Sequence, residues 1–132
     1  MKFGYTVFYV KDVPKTLDHY QAAFGCAVRF VHDSKLYGEL ETGATILAFA
    51  ANEMAETNDI AIRASDPKDV AASVNITFVT EDVQSAYDHA VKNGAAAVMP
   101  PTTKPWGQTS SYVRDRDGHL VEIASPIGDG QA

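Results

Sequence analysis

The side chains of this chain with the widest chemical reach are four histidines, one cysteine and one tryptophan. The histidines are His19, His32, His89 and His119, and no two stand at a metal-binding spacing such as His-x-x-x-His. The chain also lacks a Gly-x-Ser-x-Gly elbow, a phosphate loop and a Cys-x-x-Cys pair. His19 and His89 are read as facing solvent, His119 as a turn residue and His32 as lying near a strand end, so none is assigned to catalysis. Cys26, in Ala23-Phe24-Gly25-Cys26-Ala27-Val28, has no second thiol and reads as a small packing residue. Trp106 lies in the proline-rich stretch Pro100 to Gln108, where an indole can stack on a planar ligand or a cation. Arg114 stands just before a turn that alternates charge, Arg114-Asp115-Arg116-Asp117, and a strand would let it meet an anionic group.

Composition narrows the partners. The net charge is -6 and lysine and arginine form no block, which argues against nucleic acid or an anionic membrane surface. With 45% hydrophobic and 21% charged residues, the chain has material for a core and a soluble surface. No apolar run approaches the roughly 18 residues of a membrane span. The start, Met1-Lys2-Phe3-Gly4-Tyr5-Thr6-Val7, lacks the features of a signal peptide. With a single cysteine, a reducing, cytoplasmic setting is expected.

The elements that must position these residues come in two copies. Phe8-Tyr9-Val10-Lys11-Asp12-Val13 matches Phe78-Val79-Thr80-Glu81-Asp82-Val83, each ending a strand-like run, Tyr5 to Val10 and Val74 to Val79. A helix follows each Asp-Val. Asp12 and Pro14 start the first, Leu17, Tyr20 and Phe24 form its apolar face, and Gly25 stops it. Asp82 starts the second, with Val83, Ala86, Tyr87 and Ala90 on one face and Gly94 as the stop. Short strands follow, Ala27–Val31 and Ala96–Met99. Each copy closes with a hairpin: Leu36–Glu41 and Thr45–Ala50 around Thr42-Gly43, then Thr109–Arg114 and His119–Ala124 around Asp117-Gly118. Tyr37 and Tyr112 take matching positions in these hairpins.

The expected fold class is α+β, two tandem βαβββ modules whose curved mixed sheets surround a cleft. Residues 1–50 form the first module, 51–72 a connection with a short helix over Asn52–Thr57, 73–125 the second module and 126–132 a tail. Ligand sites favour such module junctions.

Two such modules, each with an Asp-Val strand end, a helix stopped by Phe-Gly or Asn-Gly and, in the second, the closing run Asp115-Arg116-Asp117-Gly118-His119-Leu120-Val121-Glu122-Ile123, resemble the vicinal oxygen chelate superfamily. That superfamily includes glyoxalase I, extradiol dioxygenases, fosfomycin-resistance transferases and bleomycin-resistance proteins. The likeness spans nearly the whole chain. Trp106-Gly107-Gln108 through Ile123 is similar to the bleomycin-resistance and glyoxalase-like branch.

The resemblance implies a divalent metal held by the first and last strands of each module. Mapped by spacing, the ligand positions are Tyr5, seven residues before Asp12; Asn75, seven before Asp82; and Leu47 and Glu122, four after the turn glycines. Only Glu122 is a good ligand, because leucine has no donor atom and neutral tyrosine and amide are poor ones for transition metals. No cofactor is therefore expected. Strand alternation puts Tyr5, Val7, Asn75, Thr77, Leu47, Phe49, Leu120 and Glu122 on one concave face, an apolar and aromatic cleft with a few polar groups. With Tyr37, Trp106, Tyr112 and Arg114 they form the expected ligand-binding set. No catalytic residue is assigned, and Glu122 is the one carboxylate placed to serve as a base. The expected function is binding of a small aromatic or amphipathic molecule without a metal, by a homodimer as the resemblance implies. The competing reading is a metal-dependent glyoxalase-like lyase or dioxygenase.

Overall fold

An aspartate opens each long helix and a residue outside the helical region closes it. Asp12 accepts from the Lys15 backbone N–H at 3.0 Å, Pro14 sits in the first turn, and Gly25 at φ 69° ends the helix by donating its N–H to the Tyr20 carbonyl. Asp82 accepts from the Ser85 N–H at 3.0 Å, and Asn93 with Gly94 at φ 104° ends the second.

The computed structural model describes residues 1–127. In chain order it contains β1 (Tyr5–Val10), α1 (Val13–Phe24), β2 (Ala27–Val31), β3 (Tyr37–Glu41), β4 (Ile46–Ala51), α2 (Asn52–Thr57), β5 (Asn75–Val79), α3 (Val83–Lys92), β6 (Ala96–Thr103), β7 (Thr109–Arg114) and β8 (Leu120–Ala124). The chain divides into two compact units, Met1–Ser65 and Asp66–Ala132. Each holds one four-stranded mixed sheet, ordered β1-β4-β3-β2 in the first and β5-β8-β7-β6 in the second. The expected α+β fold of two βαβββ modules is what forms, including the short helix α2. The expected tail over 126–132 lies mostly outside the described residues.

In the first unit α1 covers one face of the sheet. Leu17, Tyr20 and Val13 are buried there, and the Tyr20 ring lies 4.9 Å from Phe49 of β4. Gly38 of β3 lets this helix sit close, since a Cβ there would come within 2.6 Å of Leu17 Cδ1. His19 differs from its solvent-facing expectation. It is half-buried, edge-on to Tyr20 and Phe24 at 5.8 Å, whereas His89 is exposed.

In the second unit α3 buries Val83, Tyr87 and Ala90, and Val113, Val121 and Ile123 supply the core of the sheet. β6 runs on through Pro100 and Pro101 to Thr103, where a loop from Pro100 was expected. It is an edge strand with two register shifts, and an edge tolerates residues that cannot donate to a ladder. Among the described residues no helix is long and apolar enough to cross a membrane.

Candidate functional site

The face of each sheet away from its helix carries a carboxylate, Glu39 in the first unit and Glu122 in the second. In the second unit it is organised around Glu122. β5 and β8 are parallel neighbours with Thr77 opposite Glu122, and β7 places Tyr112 opposite Glu122 from the other side. Alternation then turns Val121 and Ile123 into the core and Glu122 the other way.

The Glu122 carboxylate collects three hydroxyl donors. Thr77 Oγ1 donates to Oε1 at 2.7 Å; Ser110 Oγ and Tyr112 OH donate to Oε2 at 2.6 Å and 3.2 Å. Asn75 supports Thr77, its Nδ2 donating to Thr77 Oγ1 at 3.0 Å and to the Ile76 carbonyl at 3.2 Å. Burial alone would raise the Glu122 pKa, but the hydrogen bonds from Ser110, Thr77 and Tyr112, with the field of Lys104, hold it below the usual carboxylate value. The Tyr112 phenol is pushed up, first by burial and then by the Glu122 charge.

The first unit carries its own carboxylate, one strand over. Glu39 of β3 accepts from Tyr37 OH at 2.7 Å and pairs with Arg29 Nε at 3.4 Å. Burial, then the hydrogen bond to Glu39 and its charge, raise the Tyr37 pKa well above the ordinary phenol value. In β4 the residue opposite Val7 is Ala48, so Ala48 is the counterpart of Glu122. Ala48 also lies opposite Glu39, which makes Glu39 the counterpart of Tyr112; Tyr37, opposite Ala50, matches Ser110, opposite Ala124. The expected equivalence of Tyr37 and Tyr112 is thus shifted by two residues. Glu39 was missed, although period-two alternation from Tyr37 points to it.

Other expected site residues separate by face. Tyr5, 57% exposed, and Val7 lie on the helix-free side of the first sheet, as Asn75, Tyr112 and Glu122 do in the second. Leu47 and Phe49 do not. Phe49 is fully buried against Tyr20 and Phe8, and Leu47, two residues earlier in β4, shares that side. Ala48 and Ala50 take the places expected for them.

Arg114 is also corrected. Its Nε donates to the Gly118 carbonyl at 2.8 Å, Nη1 to Asp69 and Pro67 at 2.6 and 3.1 Å, and Nη2 to Asp66 at 3.2 Å. The guanidinium pins the segment 66–69 to the β7–β8 turn and is committed to backbone rather than to an anion. The turn itself is held by Asp115, which is buried and accepts from the backbone N–H groups of Asp117 and His119 and contacts His119 Nδ1 at 3.1 Å. Trp106 is 63% exposed on the β6–β7 turn, its indole N–H donating to Gln108 Oε1 at 3.0 Å. Gln108 in turn donates to the Ser125 carbonyl. Cys26 is buried, and burial pushes its thiol up to about 11.

The donor set does not suit the divalent metal that the resemblance implies. Both Glu122 oxygens already accept hydroxyl protons, and a cation there would face those protons unless the cluster were taken apart. The counterpart Ala48 has no donor atom. Among the described residues no group of three or more His, Cys, Asp and Glu side chains could hold a metal ion.

Comparison with known proteins agrees with the fold. A glyoxalase-related enzyme from Fulvimarina pelagi superposes with a TM-score of 0.81 at 21% identity, over 100% of this chain and 96% of that one. A glyoxalase/bleomycin resistance protein/dioxygenase family enzyme from Burkholderia phytofirmans PsJN gives 0.77 at 17% identity, over 95% and 98%. TioX from Micromonospora sp. ML1 gives 0.70 at 20% identity, over 95% and 98%. No curated protein matches the chain. The sequence model of the Glyoxalase/Bleomycin resistance protein/Dioxygenase superfamily matches residues 2–123, and the chain belongs to that superfamily.

Proposed function

We propose that the protein binds a small aromatic or amphipathic organic molecule against the helix-free sheet face that carries Glu122 and does so without a resident metal. The observation that carries this reading is the Glu122 carboxylate, kept ionised by three hydroxyl donors on a face that is not packed under its own helix. A carboxylate held in this way is a weak base and a poor metal ligand, since each donated hydrogen bond drains its lone pairs. It remains a good fixed acceptor. Tyr112 places aromatic surface on the same face, and the exposed Trp106 of the same unit adds an indole for stacking.

The test is metal analysis of purified protein, with melting curves recorded against divalent ions. Substoichiometric metal and a melting temperature indifferent to EDTA, zinc, nickel and manganese are expected. Stoichiometric metal that is lost in Glu122→Ala overturns the reading in favour of a metal-dependent lyase or dioxygenase. On the binding side, Trp106 fluorescence and melting temperature respond to members of a panel of planar organic compounds; a flat response in both refutes ligand binding.

A further inference from the structure

We infer that the Glu122 cluster selects its ligand by hydrogen-bond polarity: it accepts an amine, amide or alcohol through an N–H or O–H donor and rejects carboxylates and groups that only accept. This rests on the binding reading above and specifies the chemical class that reading leaves open.

The polarity follows from counting donors and lone pairs. An ionised carboxylate offers about four acceptor positions, two on each oxygen. Oε2 accepts from Ser110 and Tyr112 and is filled; Oε1 accepts from Thr77 and keeps one position. The three hydroxyl protons are all spent on Glu122. Both amide protons of Asn75 are spent as well, one on Thr77 Oγ1 and one on the Ile76 carbonyl. What the cluster has left to offer is lone pairs, on Oε1 and on the Tyr112 and Thr77 oxygens.

Reversing a hydroxyl to donate outward would take a hydrogen bond from a charged oxygen. Ser110 is only 1% exposed, and the groups its hydroxyl can reach, Glu122 and Tyr112, both belong to the cluster, so it does not turn toward a ligand. Thr77, by contrast, is exposed beside Oε1, so the remaining acceptor position lies at the accessible edge of the cluster. A ligand that brings a donor completes the carboxylate. One that brings only lone pairs leaves an acceptor facing an acceptor, and a desolvated, mismatched pair of that kind is costly.

The experiment uses four compounds with one naphthalene ring: 2-naphthylmethylamine, 2-naphthylmethanol, its methyl ether and 2-naphthoate. Each is titrated into the full-length protein by calorimetry and by amide chemical-shift mapping. The amine and alcohol should bind about tenfold or more tightly than the ether and the carboxylate, the size of one charge-assisted hydrogen bond. In Glu122→Gln the four affinities should converge. Thr77→Val, which frees a second position on Oε1 without removing the charge, should keep the order and serves if Glu122→Gln does not fold. An ether that matches the amine, an order unchanged in Glu122→Gln, or a carboxylate that binds best through Lys104 overturns the inference. If all four bind alike, the inference fails and the binding reading stands. If none binds, both fall.

Discussion

Thr77 and Glu122, 45 residues apart, are partners on adjacent parallel strands, and the threonine hydroxyl donates to Glu122 Oε1 at 2.7 Å. The carboxylate thereby ties β5 to β8, and through Ser110 and Tyr112 it ties β7 to both. Glu122→Ala leaves three hydroxyls without their acceptor on a half-buried face. A loss of about 1–2 kcal/mol is expected in urea unfolding, after discounting for solvent access. A change below about 0.3 kcal/mol would show the cluster to be energetically idle.

The same contact predicts an acid dependence. The folded Glu122 pKa lies below the ordinary value, so the unfolded chain takes up this proton first as pH falls. The stabilisation is then complete above about pH 5, where the unfolded carboxyl near 4.3 is already ionised, and is lost as pH falls through the lower folded value. The charged or titratable groups acting on Glu122 are Tyr112, whose own pKa is raised, and Lys104. The stability gap between wild type and Glu122→Gln should therefore be constant from pH 7 to pH 5 and shrink toward pH 3. A gap that grows on acidification contradicts the sign.

Close packing of α1 on Gly38 gives a sharper stability test. An alanine Cβ would lie 2.6 Å from Leu17 Cδ1 and 3.3 Å from both Val13 Cγ1 and the Phe30 carbonyl. Leu17 and Val13 are buried, so they cannot swing clear. Gly38→Ala should cost about 1–3 kcal/mol by overpacking. Gly4→Ala, with open space around it, is the control and should be neutral within about 0.5 kcal/mol.

How much of this was legible depends on the range of the signal. The caps at Asp12 and Asp82 and the stops at Gly25 and Gly94 act over a few residues, and their residue types announce them. The register of β4 was not legible. Its run Ile46–Ala51 is apolar throughout, so alternation marks no face, and counting from the turn glycine gave Leu47. The first hairpin has two residues between Gly43 and β4, whereas the second has only His119 between Gly118 and β8. That one-residue difference moves the counterpart of Glu122 to Ala48 and sends Leu47 and Phe49 to the helix side. Arg114 failed for another reason: three of its acceptors lie 45 to 48 residues upstream, on a connection with no periodic pattern.

Arg114 and Gly118 should together hold that connection. Gly118 sits at φ 93°, and a Cβ there would lie 2.8 Å from Arg114 Nη2 and from the Pro67 backbone. In Arg114→Ala or Gly118→Ala the segment 66–69 loses its anchor. Trypsin cleavage after Lys68 is expected to rise about fivefold, the population change that about 1 kcal/mol brings. Arg114→Lys should not restore protection, because one ammonium cannot span four carbonyls. Unchanged cleavage in both variants would show that the segment is held by something else.

Cys26 is the only thiol, and its burial has a kinetic consequence. The thiolate is the reactive form, and a pKa of about 11 leaves roughly one thiol in a thousand ionised at pH 8. An unperturbed cysteine near 8.5 is roughly one quarter ionised at the same pH. Labelling by a disulfide reagent in the native state should therefore run at least about 100-fold slower than in urea, before any steric shielding is counted. Its rate should climb about tenfold per pH unit from pH 7 to pH 10, because each unit multiplies the thiolate fraction by ten until the pKa is approached. A native rate within tenfold of the unfolded rate at pH 8, or one already level by pH 9, would place the thiol in a polar, accessible environment and reopen it as a nucleophile. The expected slow, steep profile leaves Cys26 as a packing residue between α1 and β2.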